Sequence, residues 1–401
     1  MGRDEIVPCR TTPSRGCGFP TDWRTMKVVV APDSFTGSLT AAAAASAIAA
    51  GWRSARPADA VVEVPVADGG EGTVAVVAAA TGAVPRSARV RDPLGRSVEA
   101  EWLLLTDGTA IIEMAAASGL WRLAPDERDP RRTSTYGTGE IVLAALDAGA
   151  RRLVIGLGGS ATNDGGAGLA QALGCRLLDD AGTELDGGGA ALARLARLDV
   201  TGLDFRLAEV GVVAATDVDV VVCGPNGASA MFGPQKGADA DAVAELDAAL
   251  VRWVELLRRD LPAGPDVSSC PGGGAAGGLA AGLIALCGAK VESGAAVVLG
   301  LVGLRRAVAR ADLVVTGEGS LDRQTLRGKA PYAVASLARE AGLPCLALAG
   351  VVAAGRQELA AAGIDAAYAI ADVAPTLDDA ITDAALWLTE LATQVAREWS
   401  R

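Results

Sequence analysis

Five glycine-rich segments hold most of the side chains in this chain that could do chemistry. They read DGGEGT at 68–73, GLGGSATNDGGAG at 156–168, GPNGASAMFGPQKGA at 224–238, PGGGAAGG at 271–278 and TGEGSLDRQTLRGK at 316–329. Glycine lets backbone N–H groups approach an anion closely, and a helix N-terminus adds positive potential. Acids, hydroxyls and lysines are interleaved with these glycines. One such loop alone reads as a turn. Five of them, carrying this chemistry, read as a site for phosphates and a divalent cation.

Residue usage narrows the candidates. The 36 basic residues include only four lysines: Lys27, Lys236, Lys290 and Lys329. Arginine serves wherever a generic positive charge suffices. Lys236 and Lys329 lie inside glycine loops, where a compact ammonium acts as a point charge on phosphate. Lys290 has no loop context and reads as solvated. The two asparagines, Asn163 and Asn226, also lie in glycine loops. Asn226 reads equally well as a left-handed turn residue.

The acids divide in the same way. Asp33 and Asp68 each follow a predicted parallel strand. Glu71, Asp164, Glu318 and Asp322 lie in glycine loops, and Asp217 and Asp219 follow a strand over 210–215. Magnesium takes one or two carboxylates plus phosphate oxygens. A hydroxyl nucleophile needs one carboxylate to accept its proton. The acids outnumber these roles, so some are caps or turn residues.

Several chemistries are excluded. With no histidine there is no Ser-His-Asp or Cys-His triad and no imidazole ligand. The seven cysteines are scattered without a CxxC pair, which suits a reducing cytoplasm. A net charge of −12 and 3% aromatic residues argue against nucleic acid as a partner. The uncharged stretch 268–289 is too rich in glycine and proline for a membrane span. There is no Walker A loop. Gly156, Gly158 and Ala161 fit GxGxxA with Asp179 and Asp180 further on, which leaves a nicotinamide-binding reading as a minor alternative. The loop, however, runs on through Asn163-Asp164-Gly165-Gly166 before a helix can begin.

The elements that must position these loops alternate. Strands at 27–30 and 61–66, with helices from Thr40 to about Gly51 and from Thr73 to Ala80, predict a parallel sheet. Strand-like runs at 88–91, 97–105 and 110–114, separated by turn signals, predict antiparallel hairpins. Beyond residue 310 the strand–helix rhythm returns, ending in a helix from Thr376. The expected fold class is therefore α/β with two domains. One is a parallel-sheet domain built from both chain ends, over 26–85 plus 300–401. The other is a mixed α/β domain inserted at 86–299. Residues 1–25 are expected to be a disordered extension, with no apolar run that would make a signal peptide.

The motifs carry a clear resemblance. APDSFTGSLTA (31–41), PVADGGEGT (65–73), DPLGR (92–96), IEMAAASGL (112–120), TSTYGTGEIVLAALDAG (133–149), IGLGGSATNDGGAG (155–168), ASAMFGPQKGA (228–238) and VVTGEGSLDRQTLRGKAP (314–331) resemble the bacterial type 1 glycerate kinase family. The resemblance runs from about Met26 to the C-terminal helix. It implies ATP- and Mg2+-dependent phosphorylation of D-glycerate, usually at the 2-hydroxyl, in glyoxylate and sugar-acid catabolism. It implies two α/β domains, one flavodoxin-like, with the site in the cleft between them. It also implies small-molecule substrates, ATP and D-glycerate, alongside the reading from composition that neither nucleic acid nor membrane is a partner. One segment departs from the family. Where a DVxNPL sequence is usual, this chain reads Asp217-Val-Asp-Val-Val-Val-Cys223.

On this footing the ATP phosphates are expected at Gly158, Gly159, Ser160, Thr162, Asn163, Gly165 and Gly166, and at Gly317, Glu318, Gly319 and Lys329. Asp217 is the first candidate for the base on the glycerate hydroxyl and Asp164 the second. Lys236 would neutralise transferring oxygens. Asp33, Ser34, Asp68 and Glu71 would bind the substrate, and Glu318 and Asp322 the metal. Two other readings stay open: a kinase for another small hydroxy acid, and a non-catalytic nucleotide-binding protein.

Overall fold

The structure, a computed structural model, describes residues 25–261, 264–322 and 328–399. The extension expected to be disordered lies, apart from Thr25, outside the described residues. In chain order the strands are β1 (Lys27–Val30), β2 (Ala60–Glu63), β3 (Arg86–Arg91), β4 (Ser97–Leu104), β5 (Thr109–Glu113), β6 (Arg152–Gly156), β7 (Arg176–Leu178), β8 (Arg197–Asp199), β9 (Gly211–Ala215), β10 (Lys290–Glu292), β11 (Leu313–Leu321), β12 (Cys345–Val352) and β13 (Ala366–Ala369). The chain forms two compact units. One runs up to Val66 and resumes at Val302; the other is Ala67–Leu301.

The first unit is a five-stranded, wholly parallel sheet in the order β13-β12-β11-β1-β2. Counted within the unit this is the flavodoxin-like order, and its switch point lies between β1 and β11. Burial on both faces explains the unbroken valine run of β1. Thr40 caps the next helix, Ala41–Ala55, by accepting from the Ala43 N–H. That helix does not end near Gly51. It runs on to Ala55, and Gly51 marks a close approach instead: a Cβ there would come 2.2 Å from the Thr389 carbonyl oxygen. The C-terminal segment is two helices, Leu377–Thr382 and Ala384–Glu398, broken at Asp383 where φ and ψ are −109° and 36°.

The second unit is built on a six-stranded sheet in the order β10-β9-β6-β5-β4-β3. The β3-β4-β5 part is antiparallel, as its turn signals predict, and β5-β6-β9-β10 is parallel. The helix Thr73–Thr81 belongs to this unit, lying against β5 and the helix Gly294–Leu301. The chain therefore crosses between units at Val66, earlier than residue 85. A two-stranded β7–β8 hairpin is an addition that the sequence did not signal, since each strand has three residues. The core of this unit gathers Trp253, Ile112, Ile155 and Leu279. The carboxyl ends of β5, β6 and β9 deliver Glu113, Gly156 and Ala215 side by side. The loops that follow carry most of the candidate residues.

Candidate active site

In the second unit the loop after β6 is organised around two buried groups. Lys236 ends a short turn, Pro234–Lys236, and its side chain is 1% exposed. Its ammonium donates to the Ser160 hydroxyl at 2.9 Å and to the Thr162 carbonyl at 2.7 Å. Burial pulls its pKa down to about 7, and the charge of Asp164 opposes that shift. Asn163 donates from Nδ2 to the Ser229 hydroxyl at 2.9 Å. Thr162 Oγ1 and Asn163 Oδ1 are buried with no hydrogen-bond partner among the described residues. Polar atoms left in that state call for a further partner.

Asp164 is fully enclosed. Its carboxylate accepts from the Thr135 N–H at 2.8 Å, the Thr135 hydroxyl at 2.9 Å, the Gly166 N–H at 3.1 Å and the Gly168 N–H at 3.2 Å. Burial pushes its pKa up while these donors pull it down. A carboxylate saturated in this way fixes a loop, and no lone pair is directed at a substrate. The Gly165 amide is likewise taken, by the Gly277 carbonyl at 3.0 Å. The amides of Gly165 and Gly166, expected on a phosphate, are thus spent on the protein. Those of Gly158, Gly159 and Ser160 donate to no protein acceptor among the described residues.

The loop leans on the turn Ala276–Gly278, three successive residues in left-handed conformation. A Cβ on Gly277 would stand 2.0 Å from the Thr162 carbonyl oxygen, so glycine is required by contact as well as by φ.

Asp217, just past β9, is half-buried. It accepts from the Ser293 hydroxyl at 2.6 Å and from the Ala295 N–H at 3.0 Å. It thereby caps the helix Gly294–Leu301 from a distance. Burial raises its pKa, hydrogen bonds from Ser293, Ala295 and Gly294 lower it, and the nearby charge of Asp68 adds to the rise. Asp68 accepts from the Gly70 N–H at 3.0 Å, and Glu71 is exposed beside it. This acid loop lies directly on the β6 end: a Cβ on Gly156 would come 2.0 Å from the Gly69 carbonyl oxygen, and one on Gly158 2.6 Å from Gly70 Cα. The GxGxxA glycines therefore serve a backbone–backbone contact. The helix that follows does not start until Ala167 and has six residues, unlike a dinucleotide fingerprint.

In the first unit Asp33 and Ser34 follow β1 at the switch point, and the Asp33 N–H donates to the Gly317 carbonyl at 2.8 Å. The segment expected to be a loop from residue 316 is largely strand. β11 extends through Gly317, Glu318 and Gly319 to Leu321, paired with β12. Gly317 is there because a Cβ would meet the Leu348 carbonyl oxygen at 2.0 Å. Asp322 follows the strand end, and Lys329 occupies the N-cap position of the helix Ala330–Glu340. Residues 323–327 of this motif lie outside the described residues.

The structure thus brings together Ser160, Thr162, Asn163, Asp164 and Lys236 in one cluster, and Asp68, Glu71 and Asp217 around a second point of the same unit. Sequence reasoning passed over Thr135, Ser229, Ser293 and Glu113. Thr135 and Ser229 lie in motifs already marked, but a hydroxyl gives no signal of its own. Glu113 had one: it is the single acid in the otherwise apolar run Ala110–Met114. The DPLG turn and the TSTY segment meet elsewhere, around a cavity of about 560 Å3 that also includes Arg91, Arg132 and Gln171.

The chain matches known proteins over most of its length. The profile of the glycerate kinase family matches residues 28–400. The chain is 46% identical over 372 residues to a glycerate kinase of Bacillus subtilis (strain 168), covering 92% of this chain and 97% of that one. It is 45% identical over 360 residues to glycerate 2-kinase of Escherichia coli (strain K12), covering 90% and 94%. Among solved structures, a crystal structure described as a candidate glycerate kinase 2 from Salmonella typhimurium LT2 superposes with a TM-score of 0.80. That match has 44% identity and covers 94% of this chain and 98% of the other.

Proposed function

The chain belongs to the glycerate kinase family, and on that premise we propose that it transfers the γ-phosphoryl group of ATP to the 2-hydroxyl of D-glycerate. The observation that carries this reading is the buried Lys236 held on Ser160 within a glycine loop. A buried amine that can carry positive charge, beside backbone amides with no protein acceptor among the described residues, supports a site for phosphate oxygens.

Phosphoryl transfer depends mainly on positioning and charge neutralisation. The free amides of Gly158, Gly159 and Ser160, with the hydroxyls of Ser160 and Thr162, are proposed to hold phosphate oxygens. Asn163 Oδ1 faces the same cluster as an acceptor. Lys236 neutralises charge that develops on the transferred group. Asp217 is proposed as the base. Ser293, Ala295 and Gly294 supply three donors to a carboxylate that can accept four, which leaves room for a hydroxyl proton. Burial, with the charge of Asp68, raises its pKa and makes it a stronger base than an ordinary aspartate. Asp164, saturated by donors, is proposed to position the loop and not to take a proton.

Mg2+ is proposed to accompany the nucleotide. Among the described residues no group of three or more His, Cys, Asp or Glu forms a ready-made metal site. A hard cation that brings phosphate oxygens with it needs only one or two carboxylates, and the acids present fit that demand. Glu318 and Asp322 in the first unit stay the proposed ligands, with Asp33 and Ser34 proposed for the substrate and Lys329 for phosphate. When bound, the ion would neutralise and orient the phosphate oxygens.

Among the described residues no helix is long and apolar enough to cross a membrane. The described cysteines are all free. A cytoplasmic location is proposed, in keeping with seven scattered cysteines that form no CxxC pair. The test is ADP release on a panel of small hydroxy acids, in which D-glycerate should be turned over with the highest kcat/KM. Equal turnover of another hydroxy acid would reassign the substrate.

A further inference from the structure

We propose that Glu113 is a positioning residue, whose carboxylate closes the N-terminus of the helix Thr73–Thr81 and so fixes the acid loop Asp68–Gly72; the inference rests on the kinase reading for its kinetic consequence.

The helix has no cap of its own. Its N-cap position is Gly72, at φ 93°, with no side chain to accept from the first amides. The missing acceptor comes from 39 residues away: Glu113 Oε1 accepts from the Val74 N–H at 2.6 Å, and the Gly72 N–H also donates to this carboxylate. Glu113 is the last residue of β5 and pairs with Gly156 of β6. It is 9% exposed. Burying a carboxylate is costly unless its oxygens are satisfied, and the positive end of a helix is a favourable place to satisfy them.

The consequence reaches the loop because every other hold on it is local or steric. Asp68 accepts from Gly70 within the loop, and the Thr73 hydroxyl donates to the Gly70 carbonyl. Gly69 and Gly70 touch Gly156, Gly158 and Gly294 through backbone contact alone. Among the described residues, Glu113 supplies the polar side-chain tie between this loop–helix junction and the sheet. Glu113 touches no substrate in this reading. It acts by fixing where Asp68 and Glu71 stand.

The test uses the full chain with Glu113→Gln and Glu113→Ala, read by hydrogen exchange over 68–76 and by steady-state kinetics. Gln keeps the shape and one acceptor oxygen; Ala removes both. The Val74 amide should exchange about tenfold faster in E113Q and faster still in E113A. KM for D-glycerate should rise about fivefold or more in E113Q, further in E113A, with KM for ATP unchanged within about twofold. A merely structural defect would lower kcat alone, through a smaller active fraction. Wild-type exchange at Val74 in both variants would overturn the tie. Lost protection with unchanged KM for D-glycerate would overturn the positioning role. Absence of glycerate turnover in the wild type would overturn the kinase reading separately, and the exchange result would still decide the tie.

Discussion

The ammonium of Lys236 stands 2.9 Å from the hydroxyl of Ser160, and the two side chains, 76 residues apart, are both buried. A lysine in that setting is held partly deprotonated near neutrality, because burial lowers its pKa to about 7. In the unfolded chain it stays protonated to near 10.5, the ordinary value. Between these two values the unfolded state binds more protons than the native state, so this residue's contribution makes stability rise as pH increases. Below about 7 both states are protonated and the penalty for burying the charge is complete. Lys236→Met should flatten this rise in denaturant midpoints between pH 7 and 9. It should also lower kcat by about 10²–10³-fold, through loss of charge stabilisation. An unchanged pH slope would remove Lys236 as its source.

Asp217 is held by Ser293 and Ala295 with a raised pKa. Activity should therefore fall with decreasing pH along a limb lying above the ordinary carboxylate range. Asp217→Asn keeps the shape and should lower kcat by about 10²–10⁴-fold while removing that limb. Near-normal turnover in the variant would disqualify Asp217 as the base.

Asp164 answers to a different measurement. Asp164→Asn can keep an amide oxygen on the Thr135 and Gly168 N–H groups only by turning its N–H₂ toward the Gly166 N–H, so at least one donor loses its acceptor. Stability should drop by about 2–4 kcal/mol, read from urea unfolding. A loss of activity without loss of stability would instead favour a direct catalytic role.

The contact between Gly277 and Thr162 allows a sharper mutation. Gly277→Ala adds a methyl group 2.0 Å from the Thr162 carbonyl oxygen, at a residue whose φ is +66°. The backbone must shift, and about 2–4 kcal/mol of stability should be lost together with most of the activity. Full retention of both would show that the turn relaxes freely.

Much of this was legible in the chain. The valine run of β1, the Thr40 cap and the turns between β3, β4 and β5 are local signals, and local signals fix element type. The glycines were less readable. Gly51, Gly156 and Gly317 look like loop residues, yet each permits a backbone to come close from far along the chain. That is why the first helix overran its expected end and why β11 continues through a presumed phosphate loop. The site divides along the same line. Lys236 was visible because lysine is rare in this sequence, and its partner Ser160 lies in a marked loop. The saturation of Asp164 by Thr135, and the distant caps supplied by Asp217 and Glu113, depend on contacts over 29 to 78 residues. Composition and spacing carry no trace of those.

The most direct test is phosphorus NMR of the product formed from D-glycerate, ATP and Mg2+, with each component omitted in turn. Formation of 2-phosphoglycerate and ADP only when all three are present is the expected result. ATP binding without a phosphorylated product, or turnover that persists in EDTA, would contradict a Mg2+-dependent glycerate 2-kinase.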